Sequence, residues 1–217
     1  MTRLFWIHPG DPPDAFPPVE QALREPAGLL AAGGDLSPER LVAAYARGIF
    51  PWNSEEEHIL WWSPDPREVL FPGEFHRSRS LQRTLRRQVF RLTRDTAFDQ
   101  VIAACAATRS HHGTWITPEM QAAYRQLHRL GRAHSFESWV DGELVGGLYG
   151  VRTGRVFAGE SMFSHRDDAS KAALSCLVDW CPEAGIDLID CQMPTDHLRS
   201  LGSRPLPRVQ YLEFLGR

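Results

Sequence analysis

The chain has 217 residues, 42% of them hydrophobic, enough for a sizeable core in one large domain or two unequal ones. Its 27 acidic and 24 basic residues leave a net charge of −3, which points neither toward nor away from nucleic acid and leaves that role to a local patch. No apolar run reaches about 18 residues and the N-terminus lacks a signal-like apolar stretch, which argues against a membrane span. Cys105, Cys176, Cys181 and Cys191 contain no C-x-x-C pair and no zinc-like Cys/His spacing, so they read as reduced thiols of a cytosolic protein.

Residues 1–20, with Pro9, Pro12, Pro13, Pro17 and Pro18, read as extended coil. A helix follows, with Ser37 as its N-cap, Pro38 at its first position, Leu41, Ala44 and Tyr45 on one face, and Gly48 as its stop. The proline- and tryptophan-rich stretch 51–72 reads as a joint between a small N-terminal domain, residues 1–62, and a main domain, residues 63–217. Helices are expected over 78–89, opened by Ser78, over 95–107, and over 117–131, opened by Thr117 and Pro118. The period then changes to three strands, HSFESWV, ELVGGLYGVR and RVFAGESMF, with Asp141-Gly142 and Thr153-Gly154 as turn residues. A helix over 167–184, a buried strand IDLIDCQM, a short helix near 195–201 and a final strand VQYLEFL complete the order. Helices, a meander and then strand–helix–strand resemble the acyl-CoA N-acetyltransferase-like (GNAT) fold, an α/β (α+β) architecture whose cleft lies between the last two core strands. Fold alone does not set function.

Strand alternation places Val156, Ala158, Glu160 and Met162 on one face of the strand 155–163, and Ile186, Leu188, Asp190 and Gln192 on one face of the strand 186–192. Asp190 and Gln192 stand at the C-terminal end of a buried strand, where α/β sheets meet ligands. With Glu160 they form a polar cluster lining a cleft; the competing readings are an outward-facing glutamate and loop-capping groups. Arg79, Arg83, Arg86 and Arg87 fall on one helical face, and the segment 76–94 holds seven arginines and no acid. Such a stripe suits a phosphate backbone, and the alternative is a solvated face paired with carboxylates elsewhere. Trp52 and Trp115 occur in loop contexts as base platforms or core anchors. No P-loop, G-x-S-x-G or H-E-x-x-H pattern occurs, and His111, His112 and His134 do not form a metal motif.

The segments FPPVEQALREPAGLLAAGGDLSPERLVAAYARGIFPW, ILWWSPDPREVL, GTWITPEMQAAYRQLHRLGRAHSFESW, ELVGGLYGV, GESMFSHRDDASKAALSCL and LIDCQMPTDHLRSLGSRPLPRVQYL together resemble the bacterial leucyl/phenylalanyl-tRNA–protein transferases. The resemblance runs through nearly the whole chain. It implies a cytoplasmic, monomeric enzyme, with no metal and no cofactor, that moves Leu or Phe, and Met less well, from a charged tRNA to the α-amine of proteins beginning with Arg or Lys. The product enters N-degron proteolysis. Residue by residue, the catalytic positions fall on Glu160, Asp190 and Gln192, and the tRNA 3′ adenosine is held at Trp52 and Trp115. The aminoacyl pocket falls on Tyr124, Leu148, Phe157, Met162, Leu174, Leu177 and Ile189, and the acceptor arm meets Arg79, Arg83, Arg86 and Arg87. Leu148 and Leu177 stand where relatives can carry Met or Phe, which bears on the choice among donors.

The chemistry expected from these residues has Asp190 polarise Gln192. The Gln192 amide either orients the incoming amine or donates to the tetrahedral oxyanion, and Glu160 pairs with the acceptor's cationic first side chain. Two rivals exist. A CoA-dependent acetyltransferase needs a glycine-bearing pyrophosphate loop, but the stretch here is SHRDDASKAAL. An RNA-binding module leaves Glu160, Asp190 and Gln192 without a task.

Overall fold

The computed structural model describes residues 4–52, 58–108 and 115–216. In chain order the elements are β1 (Phe5–Ile7), β2 (Leu29–Gly33), α1 (Pro38–Ala46), β3 (Phe50–Pro51), β4 (Leu60–Trp62), β5 (Arg67–Leu70), α2 (Arg79–Arg86), β6 (Arg91–Arg94), α3 (Phe98–Ala107), α4 (Pro118–Arg129), β7 (Ala133–Val140), β8 (Glu143–Thr153), β9 (Val156–Ser164), α5 (Ala169–Ala184), β10 (Leu188–Gln192), α6 (Asp196–Ser200), β11 (Arg204–Leu206) and α7 (Arg208–Leu215). His111 and His112 lie outside the described residues.

Three helix starts follow from local chemistry. The hydroxyls of Ser37, Ser78 and Thr117 accept from the backbone N–H groups of Arg40, Leu81 and Met120, satisfying first-turn donors that have no intrahelical partner. Asp141 and Gly142 both take positive φ in the tight turn between β7 and β8, as expected of an Asp-Gly hairpin. The next turn is one residue later than its sequence suggests. Thr153 pairs with Val156, so Gly154 and Arg155 make the loop. Helix starts at 95 and 167 also move, to Phe98 and Ala169, because Asp95 and Asp168 hold left-handed backbone that no α-helix accommodates.

The larger departure is at the C-terminus. VQYLEFL is the helix α7, which begins after Pro207 and buries Tyr211 with Leu212, Phe214 and Leu215 around it. Apolar residues at 209, 211, 212, 214 and 215 satisfy either period, and β11 already occupies the sheet edge beside β5. Strands β1 to β6 and β11 were not expected from the residues. The first four form a small sheet in the order β1-β2-β4-β3 from a region that reads as coil and joint.

The main sheet runs β11-β5-β10-β9-β8-β7-β6. Its neighbours are antiparallel except β9 and β10, which α5 connects as a parallel pair. Pairing between those two strands ends at Ala158–Asp190, although β9 continues to Ser164 and β10 to Gln192. They part there, as the acetyltransferase-like element order predicts. One sheet face carries a core shared with α1, α3 and α4, including Tyr45, Tyr124, Tyr149 and Ala158. The other carries a core shared with α2 and α5, including Phe136, Leu148, Phe157, Leu174 and Ile189. Gly146 lets α5 approach closely, since a Cβ there would lie 2.6 Å from the Ala169 Cβ. No helix among the described residues is long and apolar enough to cross a membrane.

Candidate active site

The cleft between the parted strands is a cavity of about 610 Å³. Leu148, Met162, Leu174, Leu177 and Ile189 supply an apolar wall, Trp52 and Trp115 stand at the same cavity, and Glu160 and Ser161 of β9 with Asp190 and Gln192 of β10 are polar residues of its lining. Two irregularities create this arrangement. Tyr149 pairs with Ser161 but Gly150 pairs with Gly159, so Glu160 is an extra residue in β9. The bulge reverses the side-chain phase. Ala158 stays with the core of α3 and α4, whereas Met162 crosses to the face of Leu148 and Phe157; Glu160 and Met162 therefore do not share a face as simple alternation requires. A second shift falls between Asp190 and Gln192, and Gln192 adopts a φ of 63°.

Glu160 is 7% exposed. Its Oε1 accepts from Gln192 Nε2 at 2.8 Å and its Oε2 from the Tyr124 hydroxyl at 3.0 Å. Tyr124 has one proton, so the Tyr45 hydroxyl, 2.6 Å away, donates to Tyr124 in turn. Burial pushes the Glu160 carboxyl up to about 7, the two tyrosine hydroxyls work against the rise, and the Asp190 charge adds to it. Burial and the Glu160 charge together hold the Tyr45 and Tyr124 hydroxyls well above the ordinary phenol range.

Asp190 is wholly buried and takes four hydrogen bonds. Arg67 Nε and Nη2 donate at 2.8 and 2.7 Å, the Tyr211 hydroxyl at 2.9 Å and the Gln192 backbone N–H at 2.8 Å. Burial opposes the Arg67 charge, but the Asp190 carboxylate more than restores it, so Arg67 stays protonated. Asp190 therefore reaches Gln192 through the main chain, and the group that touches the Gln192 amide is Glu160. That exchanges the expected positions of the two acids relative to Gln192.

Of the seven positions expected around the aminoacyl side chain, five line the cavity. Phe157 packs behind them in the same core, and Tyr124 lies on the other side of the sheet beneath Glu160. Arg79, Arg83, Arg86 and Arg87 are exposed on α2, with Leu81 buried beneath it. Among the described residues none of the four is ion-paired, whereas the neighbouring Arg77 pairs with Asp179. The four thiols form no disulfide. Among the described residues no group of three or more His, Cys, Asp or Glu side chains is placed to hold a metal ion. Sequence reasoning missed Arg67 and Tyr211; Arg67 sits in a proline-rich stretch without a motif, and Tyr211 lies in the segment whose period is ambiguous.

The family model described as leucyl/phenylalanyl-tRNA protein transferase matches residues 69–216, and the model of that family's N-terminal domain matches 34–65. Among curated proteins, the leucyl/phenylalanyl-tRNA–protein transferase of Pseudomonas fluorescens (strain Pf0-1) is 60% identical over 203 residues, 93% of this chain and 90% of the relative. That of Nitrosomonas eutropha is 61% identical over 203 residues, covering 93% and 87%. That of Bordetella avium is 55% identical over 225 residues, covering 99% and 89%. Among solved structures, FemX superposes with a TM-score of 0.50 at 11% identity, covering 78% of this chain and 66% of that one. An aminoglycoside acetyltransferase from an uncultured soil metagenomic sample superposes with a TM-score of 0.43 at 15% identity, covering 52% and 88%.

Proposed function

The chain belongs to the leucyl/phenylalanyl-tRNA protein transferase family and is an aminoacyl-tRNA-dependent transferase, and from that premise we propose that it moves leucine or phenylalanine, and methionine less well, onto the N-terminal α-amine of cytoplasmic proteins beginning with Arg or Lys, marking them for N-degron proteolysis. The observation that carries this reading is the Glu160–Gln192 hydrogen bond, set against an apolar wall where β9 and β10 part.

Aminolysis of an ester gives an amide and is downhill, so the step draws on positioning rather than on a second energy source. The difficulty is the nucleophile, because an α-amine with a pKa of ~7.7–8.0 is mostly protonated at neutral pH. An ionised Glu160 is an acceptor only, so it takes the Gln192 NH₂ group and turns Gln192 Oε1 toward the amine. This supports Gln192 as the group that orients the amine, rather than as an oxyanion donor. The Leu148, Met162, Leu174, Leu177 and Ile189 wall receives the donor side chain. A missing methylene there is worth only ~1–3 kcal/mol, so discrimination against shorter side chains is graded. Trp52 and Trp115 stack the terminal adenosine, and the protein acts as a monomer.

The test is transfer of radiolabel from Leu-tRNA to a protein beginning with Arg, compared with the same protein beginning with citrulline. Label should appear with Arg, and the uncharged isostere should raise the acceptor KM by about tenfold or more, the worth of a charge-assisted hydrogen bond. Equal KM values would remove the cation from acceptor recognition, and no transfer with tight RNA binding retained would favour the binding-module reading.

The exposed stripe on α2 gives a separate expectation. Arg83→Ala with Arg86→Ala should raise the KM for charged tRNA and flatten its salt dependence, each lost phosphate contact lowering the log–log slope by about 0.7–0.9. A change confined to the acceptor's KM would take the tRNA away from this face.

A further inference from the structure

Tyr211 is not at the cavity, yet it ties the last helix to the reaction centre. The Arg67 guanidinium carbon lies over two rings, 4.6 Å from the centroid of Phe50 and 4.8 Å from that of Tyr211. These two cation–π contacts accompany its two-pronged contact with Asp190. The Tyr211 hydroxyl adds a third donor to the same carboxylate. Gly48 makes room for this packing, since a Cβ there would come within 2.8 Å of the Tyr211 ring and the φ of 71° suits glycine. The carboxylate so fixed takes the Gln192 N–H. Gln192 needs such an anchor because its backbone is left-handed, a conformation that a non-glycine residue keeps only where its surroundings enforce it.

We propose that Tyr211 and Arg67 are positioning residues for the transfer reaction, holding through Asp190 the left-handed main chain of Gln192 so that its amide meets Glu160 and the cavity. This rests on the reading of Gln192 as the group that meets the amine. The chain of contacts runs from Tyr211 to Asp190 to Gln192 N–H, and neither of its two links is made to donor or acceptor. Tyr211 therefore acts on turnover and not on donor affinity.

Tyr211→Phe keeps the ring on Arg67 and removes one hydrogen bond to a charged acceptor, so kcat should fall about tenfold. The KM for Leu-tRNA should stay within about twofold, with rates normalised to the donor-binding stoichiometry so that misfolded protein does not count. In a Gln192→Ala background the same substitution should cost nothing further, because its effect passes through Gln192. Unchanged kcat in Tyr211→Phe beside a crippled Gln192→Ala overturns this inference alone, as does an undiminished loss in the double variant. Wild-type turnover in Gln192→Ala overturns the reading of the site itself.

Discussion

An Asp190→Ala variant should lose about 3–5 kcal/mol of unfolding free energy together with its turnover, because the buried Arg67 charge is left without a counterion. Arg67 is 1% exposed and Asp190 is wholly buried, so water does not compensate. In a chain of this length that corresponds to a drop in Tm on the order of 10 °C, which calorimetry reads directly. Removing both partners separates stability from activity. Arg67→Met with Asp190→Leu should recover much of the lost Tm, since two apolar groups carry no unpaired charge. It should not recover turnover, because the Gln192 N–H has still lost its acceptor. A single variant that melts like the wild type, or a double variant that turns over normally, would contradict the arrangement.

Turnover should rise with pH through a midpoint at about 7 that belongs to Glu160, before the acceptor amine's own ionisation near ~7.7–8.0. Burial is the main cause of the raised value, so below about 7 the carboxyl is neutral and can donate. A neutral Glu160 no longer requires the Gln192 NH₂ group as its partner, and the amide oxygen is released from its orientation toward the amine. Glu160→Gln should abolish this acidic limb and lower kcat by about a hundredfold, within the range of a lost acid–base group. A pH profile of the variant that keeps a midpoint at about 7 would assign the ionisation to another group. The linked effect on stability has the opposite sense. A folded-state pKa of about 7, above the ordinary 4.5, gives a contribution that is fully present below 4.5 and lost as pH rises through about 7. The site is thus most active where Glu160 is least comfortable.

What the residues disclosed in advance depended on how local the cause was. Ser37, Ser78 and Thr117 announced their helices because a cap is a contact across three residues. Asp141-Gly142 announced its hairpin for the same reason. Glu160, Asp190 and Gln192 were legible as polar residues in apolar strands, but their orientation was not. Each strand carries a bulge, and alternation assumes none. The expected pairing of Asp190 with the Gln192 side chain failed on that point. Arg67 lies 123 positions from Asp190, and nothing in SPDPREV signals the distant partner. In α7, seven residues with mixed apolar spacing suit both strand and helix periods, and only the occupied sheet edge decides between them.

The packing of Phe50, Arg67 and Tyr211 has a consequence for synthesis. The ribosome makes the Phe50 and Arg67 positions early, Asp190 late and Tyr211 later still. The buried charge therefore lacks its counterion until the Asp190 position has emerged, and its second ring until the α7 sequence has left the exit tunnel. Closing contacts of such long sequence separation is slow relative to local structure. Emerging chains should consequently hold the Arg67 strand open to solvent and remain inactive until α7 docks.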